Sequence, residues 1–290
     1  MDRGVVAAPG AFNGLVARAV GAAGFEAAYV SGGAISAAAG VPDVGLLDRG
    51  DFCRVIREVV RSSGLPVLAD ADTGFGEEEQ IRRTVIEYAH AGAAALHMED
   101  QVFPKRCGHL DGKTLVPKDQ MAENVRWASK AAGEYGDGEF IVCARTDARG
   151  VEGFDAAVDR AKAYVAAGAE MIFPEGLASA EELSAFAEAM GRGDGISADS
   201  ANGLPYLLAN ITEFGKTPLV PTAELGAMGY DFVIYPVSTL RLSLGAIVPA
   251  LAELREKGTL EGQLGNMQSR KDLYELLGYT PGTPWETPGR

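Results

Sequence analysis

Eight times along this 290-residue chain a short apolar run closed by turn residues gives way to a longer amphipathic stretch. The apolar runs are Val5–Ala8, Ala27–Ser31, Pro66–Asp70, Ala93–Met98, Phe140–Ala144, Glu170–Pro174, Pro205–Asn210 and Asp231–Tyr235. Their length and β-rich ends read as strands, whereas spacings such as Phe52, Val55, Ile56 and Val59 between them read as helices. A strand that reaches the next strand through a helix pairs with it in parallel. Eight such units in a chain of this length predict an α/β fold, a single (β/α)8 barrel domain over residues 1–290. A doubly wound open sheet is the alternative, but no glycine-rich dinucleotide fingerprint follows the first strand. The glycine-rich stretch 191–203 reads as an exposed insertion outside the core, and extra helices are expected from about residue 259.

Charge and cysteine usage narrow the function. A formal net charge of −14 argues against nucleic acid, which needs a basic surface. It also requires that an anionic substrate be gripped locally, by a cation or a few arginines. Three cysteines, at 53, 107 and 143, make a poor disulfide framework and point to a reducing cytoplasm. No membrane-length apolar run and no signal-peptide pattern are present, so a soluble protein is expected.

In such barrels chemistry collects at the C-terminal ends of the strands. Those ends carry Tyr29 with Ser31-Gly32-Gly33, Asp70 with Asp72, Glu99 with Asp100, Arg145 with Asp147, then Glu175, Asn210 with Thr212 and Glu213, and Ser238 with Arg241. Asp70 and Asp72 lie two apart on an extended segment, which can aim both carboxylates the same way. Such a pair suits magnesium, which binds through one or two carboxylates and keeps several waters. The plain alternative is that Asp70 caps a turn and Asp72 is solvated. Arg145 and Arg241 could fork around substrate carboxylates, or form internal ion pairs with Asp147 or Glu175. His97 stands alone beside Met98 and His90 sits late in a helix, so neither supports a zinc site.

The long loop from Glu99 to about Pro117 holds Lys105-Arg106-Cys107-Gly108-His109. Cationic neighbours lower a thiol pKa, so Cys107 is a candidate nucleophile or general acid, while Cys53 and Cys143 read as buried hydrophobes.

Together with Asp70-Ala71-Asp72 and Tyr29-Val30-Ser31-Gly32-Gly33, that loop resembles the isocitrate lyase and phosphoenolpyruvate mutase superfamily, and within it the 2-methylisocitrate lyases. The similarity runs from about Val5 to Tyr279, and the cysteine loop is its specific element. The resemblance implies a carbon–carbon lyase that cleaves 2-methylisocitrate to pyruvate and succinate in the methylcitrate cycle of propionate catabolism. It implies that Asp70, Asp72 and Glu99 hold Mg2+ (Mn2+ as the alternative), partly through water. Ser31, Gly32, Gly33, Gly108, His109, Arg145, Glu175, Asn210, Thr212, Arg241 and Arg270 would bind the tricarboxylate. Cys107 would be the general acid and Tyr29 the partner in deprotonating the hydroxyl, with Lys105, Arg106 and His109 neutralising the carbanion. Phe173 would make room for the methyl group, as would Ile234, where a leucine is more usual. The superfamily is typically tetrameric, with the helix after the eighth strand packing on a neighbour, so a homotetramer is expected. The rival readings are a lyase for isocitrate or dimethylmalate, an oxaloacetate decarboxylase, and a non-catalytic barrel that senses a carboxylate.

Overall fold

The computed structural model describes residues 4–108, 110, 112–135, 139–192 and 204–285. Eight strands form one parallel sheet in the order β1-β8-β7-β6-β5-β4-β3-β2. They are β1 Val6–Pro9, β2 Ala28–Val30, β3 Val67–Asp70, β4 Ala95–Glu99, β5 Ile141–Thr146, β6 Met171–Pro174, β7 Tyr206–Asn210 and β8 Phe232–Tyr235. The barrel is nearly closed at its β1–β2 seam, where Gly10 bridges Tyr29 and the Ala11 amide donates to the Tyr29 carbonyl at 2.8 Å. Only glycine fits at position 10, because a Cβ there would lie 2.1 Å from the Pro236 carbonyl oxygen.

The helices are α1 Gly14–Ala22, α2 Gly32–Ala38, α3 Arg49–Ser63, α4 Glu78–Ala91, α5 Lys118–Tyr135, α6 Phe154–Ala166, α7 Ala180–Ala189, α8 Thr222–Ala227, α9 Ser238–Lys257 and α10 Arg270–Leu276. Most boundaries agree with the sequence pattern to within about two residues, and α10 and a 3-10 turn at Glu261–Asn266 supply the expected C-terminal helices. The α2 helix was not anticipated. Its Gly-Gly-Ala-Ile-Ser-Ala-Ala sequence has no polar face to mark a helical period, and it forms because Ser31 caps it and its small residues are buried. The β5 strand runs two residues beyond expectation, so Arg145 sits on the strand itself.

Two apolar layers result. Ala, Val, Ile and aromatic side chains fill the space between strands and outer helices. Inside the barrel, Ala8, Tyr29, Leu68, Cys143, Phe173, Leu208 and Ile234 pack together. Cys53 and Cys143 are buried as expected, and burial pushes both thiols above their usual pKa. No disulfide links the three cysteines. Among the described residues no helix is long and apolar enough to cross a membrane.

The expected insertion needs one correction. Arg192 is buried, and its guanidinium donates to the Gly229 carbonyl at 3.1 Å and to Asp231 Oδ1 at 2.5 Å, tying the end of α7 to β8. The rest of that stretch, 193–203, lies outside the described residues, as does His109.

Candidate active site

Each strand end contributes a side chain because alternate residues of a barrel strand point inward and the last ones clear the packed interior. Asp70 closes β3. Its Oδ2 accepts the Gly32 amide at 3.0 Å, and its Oδ1 accepts the Asp72 amide at 3.0 Å. The chain then turns at Asp72 (φ 45°) and Gly74 (φ 93°). Asp70 and Asp72 therefore meet through a left-handed turn and not by strand alternation. Asp70 does cap that turn, but Asp72 is only 4% exposed and faces the same side. The Gly32 amide, expected on a substrate carboxylate, is committed to Asp70.

Glu99 closes β4, with Oε2 3.0 Å from Arg145 Nη1 and no hydrogen bond to Oε1. Lys105 reaches in from the loop, its Nζ 2.8 Å from Asp72 Oδ1 and 2.5 Å from Asp43 Oδ1. Burial and the charge of Asp70 raise Asp72 to about 6 despite Lys105. Burial also raises Asp70, but His97, Lys105, Arg145 and the Asp72 amide outweigh it and hold Asp70 at about 2. Burial keeps Glu99 well above the carboxylate range even beside Arg145. Burial opposes the charge on Lys105, and Glu99, Asp70, Asp72 and Asp43 overcome it and hold the lysine charged. Among the described residues no three His, Cys, Asp or Glu side chains form a direct metal-ligand set. An all-oxygen group with an unbonded, buried Glu99 oxygen still fits a hard divalent cation that binds through one or two carboxylates and waters.

Arg145 is the centre of the opposite wall. Its Nε and Nη2 donate to Asp147 at 3.0 and 3.2 Å, Nη2 lies 3.5 Å from Glu175, and its guanidinium stacks 5.1 Å over the Phe173 ring. Asn210 Nδ2 donates to Glu175 Oε2 at 3.1 Å. Both internal partners anticipated for Arg145, Asp147 and Glu175, are thus present, and Glu99 joins them. Asp100 lies behind the site: it accepts from Thr146 Oγ1 (2.7 Å), Tyr164 (2.8 Å) and the Asp147 amide (2.9 Å), and so fixes the 145–147 backbone.

Tyr29, His97 and Phe173 form the floor. Tyr29 Oη and His97 Nε2 are 2.8 Å apart, and the His97 ring meets Phe173 edge-on at 5.4 Å. Burial pushes His97 down to about 4, so it is neutral, and burial with Asp70 raises the Tyr29 phenol well above its usual value. The pattern around His97 gave no hint of this, because its partner lies 68 positions away. Ile234 is fully buried in the same interior layer.

The 99–117 loop folds over these groups. Its stem pairs Gln101 with Leu115, and Gln101 clamps the Arg106 backbone at 2.9 and 2.8 Å. The tip presses down so closely that a Cβ on Gly108 would meet Arg145 Nη2 at 2.3 Å and Glu175 Oε2 at 2.7 Å. Lys105 is therefore brought to Asp72 and Asp43 and Gly108 to Arg145 and Glu175, with the half-buried Cys107 between them in the chain. Thr212 is buried and accepts from Arg241 at 3.3 Å; Arg241 itself is 40% exposed, stacks over Phe214 and pairs with Glu213. Arg270 is not brought to the site: it is exposed at the start of α10, a helix packed near α1. A cavity of about 870 Å3 opens beside Asp72 and Glu99 beneath Phe103, while another of about 700 Å3 lies at the opposite barrel mouth around Val5, Ala27 and Phe232.

The chain matches the phosphoenolpyruvate phosphomutase family over residues 2–255. It belongs to that family. This phosphomutase-family chain is 50% identical over 271 residues to "Probable 2-methylisocitrate lyase 1" of Corynebacterium glutamicum, covering 93% of this chain and 84% of that one. It is 44% identical to the 2-methylisocitrate lyase of Aeropyrum pernix, covering 96% and 84%. Among solved structures, a phosphonopyruvate hydrolase in complex with oxalate and Mg++ is 30% identical, with a TM-score of 0.80 and coverage of 94% and 90%.

Proposed function

We propose that this protein is a divalent-metal-dependent carbon–carbon lyase that cleaves 2-methylisocitrate to pyruvate and succinate. One observation carries the reading: the Lys105–Gly108 loop lies on Arg145 and Glu175 through Gly108 and on Asp72 through Lys105, with Asp70 and Glu99 in the same group of carboxylates. The names of the relatives at 44–50% identity support it.

Asp70, Asp72 and Glu99 would hold the metal, Mg2+ in our reading, in line with the solved relative in complex with Mg++. When bound, such a cation supplies Lewis-acid polarisation of the substrate hydroxyl and carboxylate. Arg145, Asn210, Thr212, Ser31 and Gly33 orient the remaining carboxylates. Tyr29 is the partner in deprotonating the hydroxyl, and its 2.8 Å contact with neutral His97 orients the phenol. The carbon–carbon bond then breaks and pyruvate leaves. The carboxylate-stabilised carbanion that remains is balanced by the Lys105 and Arg106 charges and takes its proton from Cys107, giving succinate. Phe173 and Ile234 shape the apolar side that receives the methyl group.

The deciding assay is pyruvate release from 2-methylisocitrate with and without Mg2+. Activity is expected to fall to background in EDTA and to return with Mg2+. Dominant glyoxylate release from isocitrate would make the protein an isocitrate lyase, and no release from either acid would favour a binding barrel.

A homotetramer in the cytoplasm completes the proposal. The α9 helix has no buried residue, and Leu242, Val248 and Leu251 are 74%, 62% and 57% exposed along it. A stripe of that kind needs a partner surface, and sedimentation at about four chain masses is expected. A sedimenting monomer would sink this part.

A further inference from the structure

The loop carries a second buried lysine that the chemistry above does not use. The Lys113 side chain is 4% exposed, and its Nζ lies 2.7 Å from Asp147 Oδ1. The same ammonium donates to the Gly108 carbonyl, five residues earlier. Asp147 in turn receives both Arg145 hydrogen bonds and is held by its own amide on Asp100. One ammonium thus joins the loop tip, next to Cys107, to the carboxylate that holds Arg145.

We infer that Lys113 is a positioning residue, whose ammonium latches the Cys107–Gly108 segment onto the Asp147–Arg145 pair so that Cys107 is delivered over the pocket. The inference rests on the proposed role of Cys107. A buried ammonium is stable only where its charge and donors are matched, and Asp147 with Gly108 matches them solely in this loop pose. Lifting the loop would pull Lys113 away and leave Asp147 to Arg145 alone, drawing that guanidinium off the pocket. The Gly108 fit against Arg145 and Glu175, too tight for any Cβ, fixes where the latched tip must sit.

A lysine that merely stapled the loop would affect melting temperature alone. A latch predicts more. In Lys113→Met, kcat is expected to fall roughly 100-fold with KM within about threefold, as for a misplaced catalytic group. The alkylation rate of Cys107 by iodoacetamide, read peptide by peptide with buried Cys53 and Cys143 as internal controls, should rise about tenfold. Lys113→Arg, which keeps a cation beside Asp147, should recover much of the lost kcat. An unchanged Cys107 alkylation rate overturns the inference, and so does a loss expressed wholly in KM, which would place Lys113 on the substrate itself. If the Met variant does not accumulate, Lys113→Gln takes its place with the same two outcomes. Should the unaltered protein release no pyruvate, the functional reading fails, while the alkylation measurement still decides the latch.

Discussion

Cys107→Ala is expected to lower kcat for pyruvate release by about three orders of magnitude, the middle to upper range for removing a positioned general acid. Stability should hardly change, because the half-buried Cys107 belongs to neither apolar layer. The reason lies in the step after bond cleavage. A carbanion stabilised only by its own carboxylate recombines with pyruvate unless a proton arrives from the correct face. Gly108 packs against Arg145, and in the proposed mechanism the thiol one residue before it is the acid that supplies that proton. KM should stay within a few-fold, since the carboxylates are gripped by the barrel and not by the sulfur. The measurement is a coupled pyruvate assay at saturating substrate and metal. Activity within tenfold of the unaltered protein would remove Cys107 from the chemistry. Mass spectrometry of the protein during turnover separates acid from nucleophile: a covalent adduct on Cys107 would replace the proton-transfer role with an attacking one.

The barrel was legible because its signal is local and repeated. Each strand is a short apolar run and each helix a periodic one, so eight independent readings agreed. The strand-end rule then placed Asp70, Glu99, Arg145, Glu175 and Asn210 on one face from sequence order alone. What stayed hidden depends on distance or on residues without pattern. The α2 helix is a run of Gly and Ala whose burial, not its periodicity, makes it helical. Asp43 lay unremarked in a long connection, yet it holds Lys105 from 62 positions away. His97 was set aside because it had no neighbouring ligand type, and its role comes from Tyr29 across the barrel. Asp70 and Asp72 were paired for the wrong geometric reason: the left-handed turn at Asp72 is invisible without coordinates. Arg270 was carried by the resemblance alone, and in this chain it is exposed at the start of α10.

Arg145→Met tests whether the site is held together by its own charges. Arg145 lies against three buried carboxylates, Glu99, Asp147 and Glu175. Removing one partner of a buried ion network typically costs ~3–5 kcal/mol, which corresponds to a melting-temperature loss of about 10 °C. The loss should depend on pH with a definite sign. In the unaltered protein burial opposes the Asp147 charge, but Arg145 and Lys113 prevail and hold its pKa below the ordinary value. That contribution to stability is present above the ordinary aspartate pKa and is lost as pH falls through the lowered one. Glu99 behaves in the other sense, since burial raises it despite Arg145, and taking the guanidinium away raises it further. A carboxyl with a raised folded-state pKa stabilises at low pH and loses that contribution as pH rises. Between pH 5 and pH 8 the Asp147 contribution is already complete, so any widening of the gap over that range comes from Glu99, while the Asp147 contribution is read as a gap that closes below the ordinary aspartate pKa. Catalysis should fall below detection throughout, because the same guanidinium is the proposed anchor for a substrate carboxylate and the seat of the loop tip. Thermal melts at the two pH values check the sign. A gap that narrows toward pH 8 would mean that Glu99 does not depend on Arg145 for its charge.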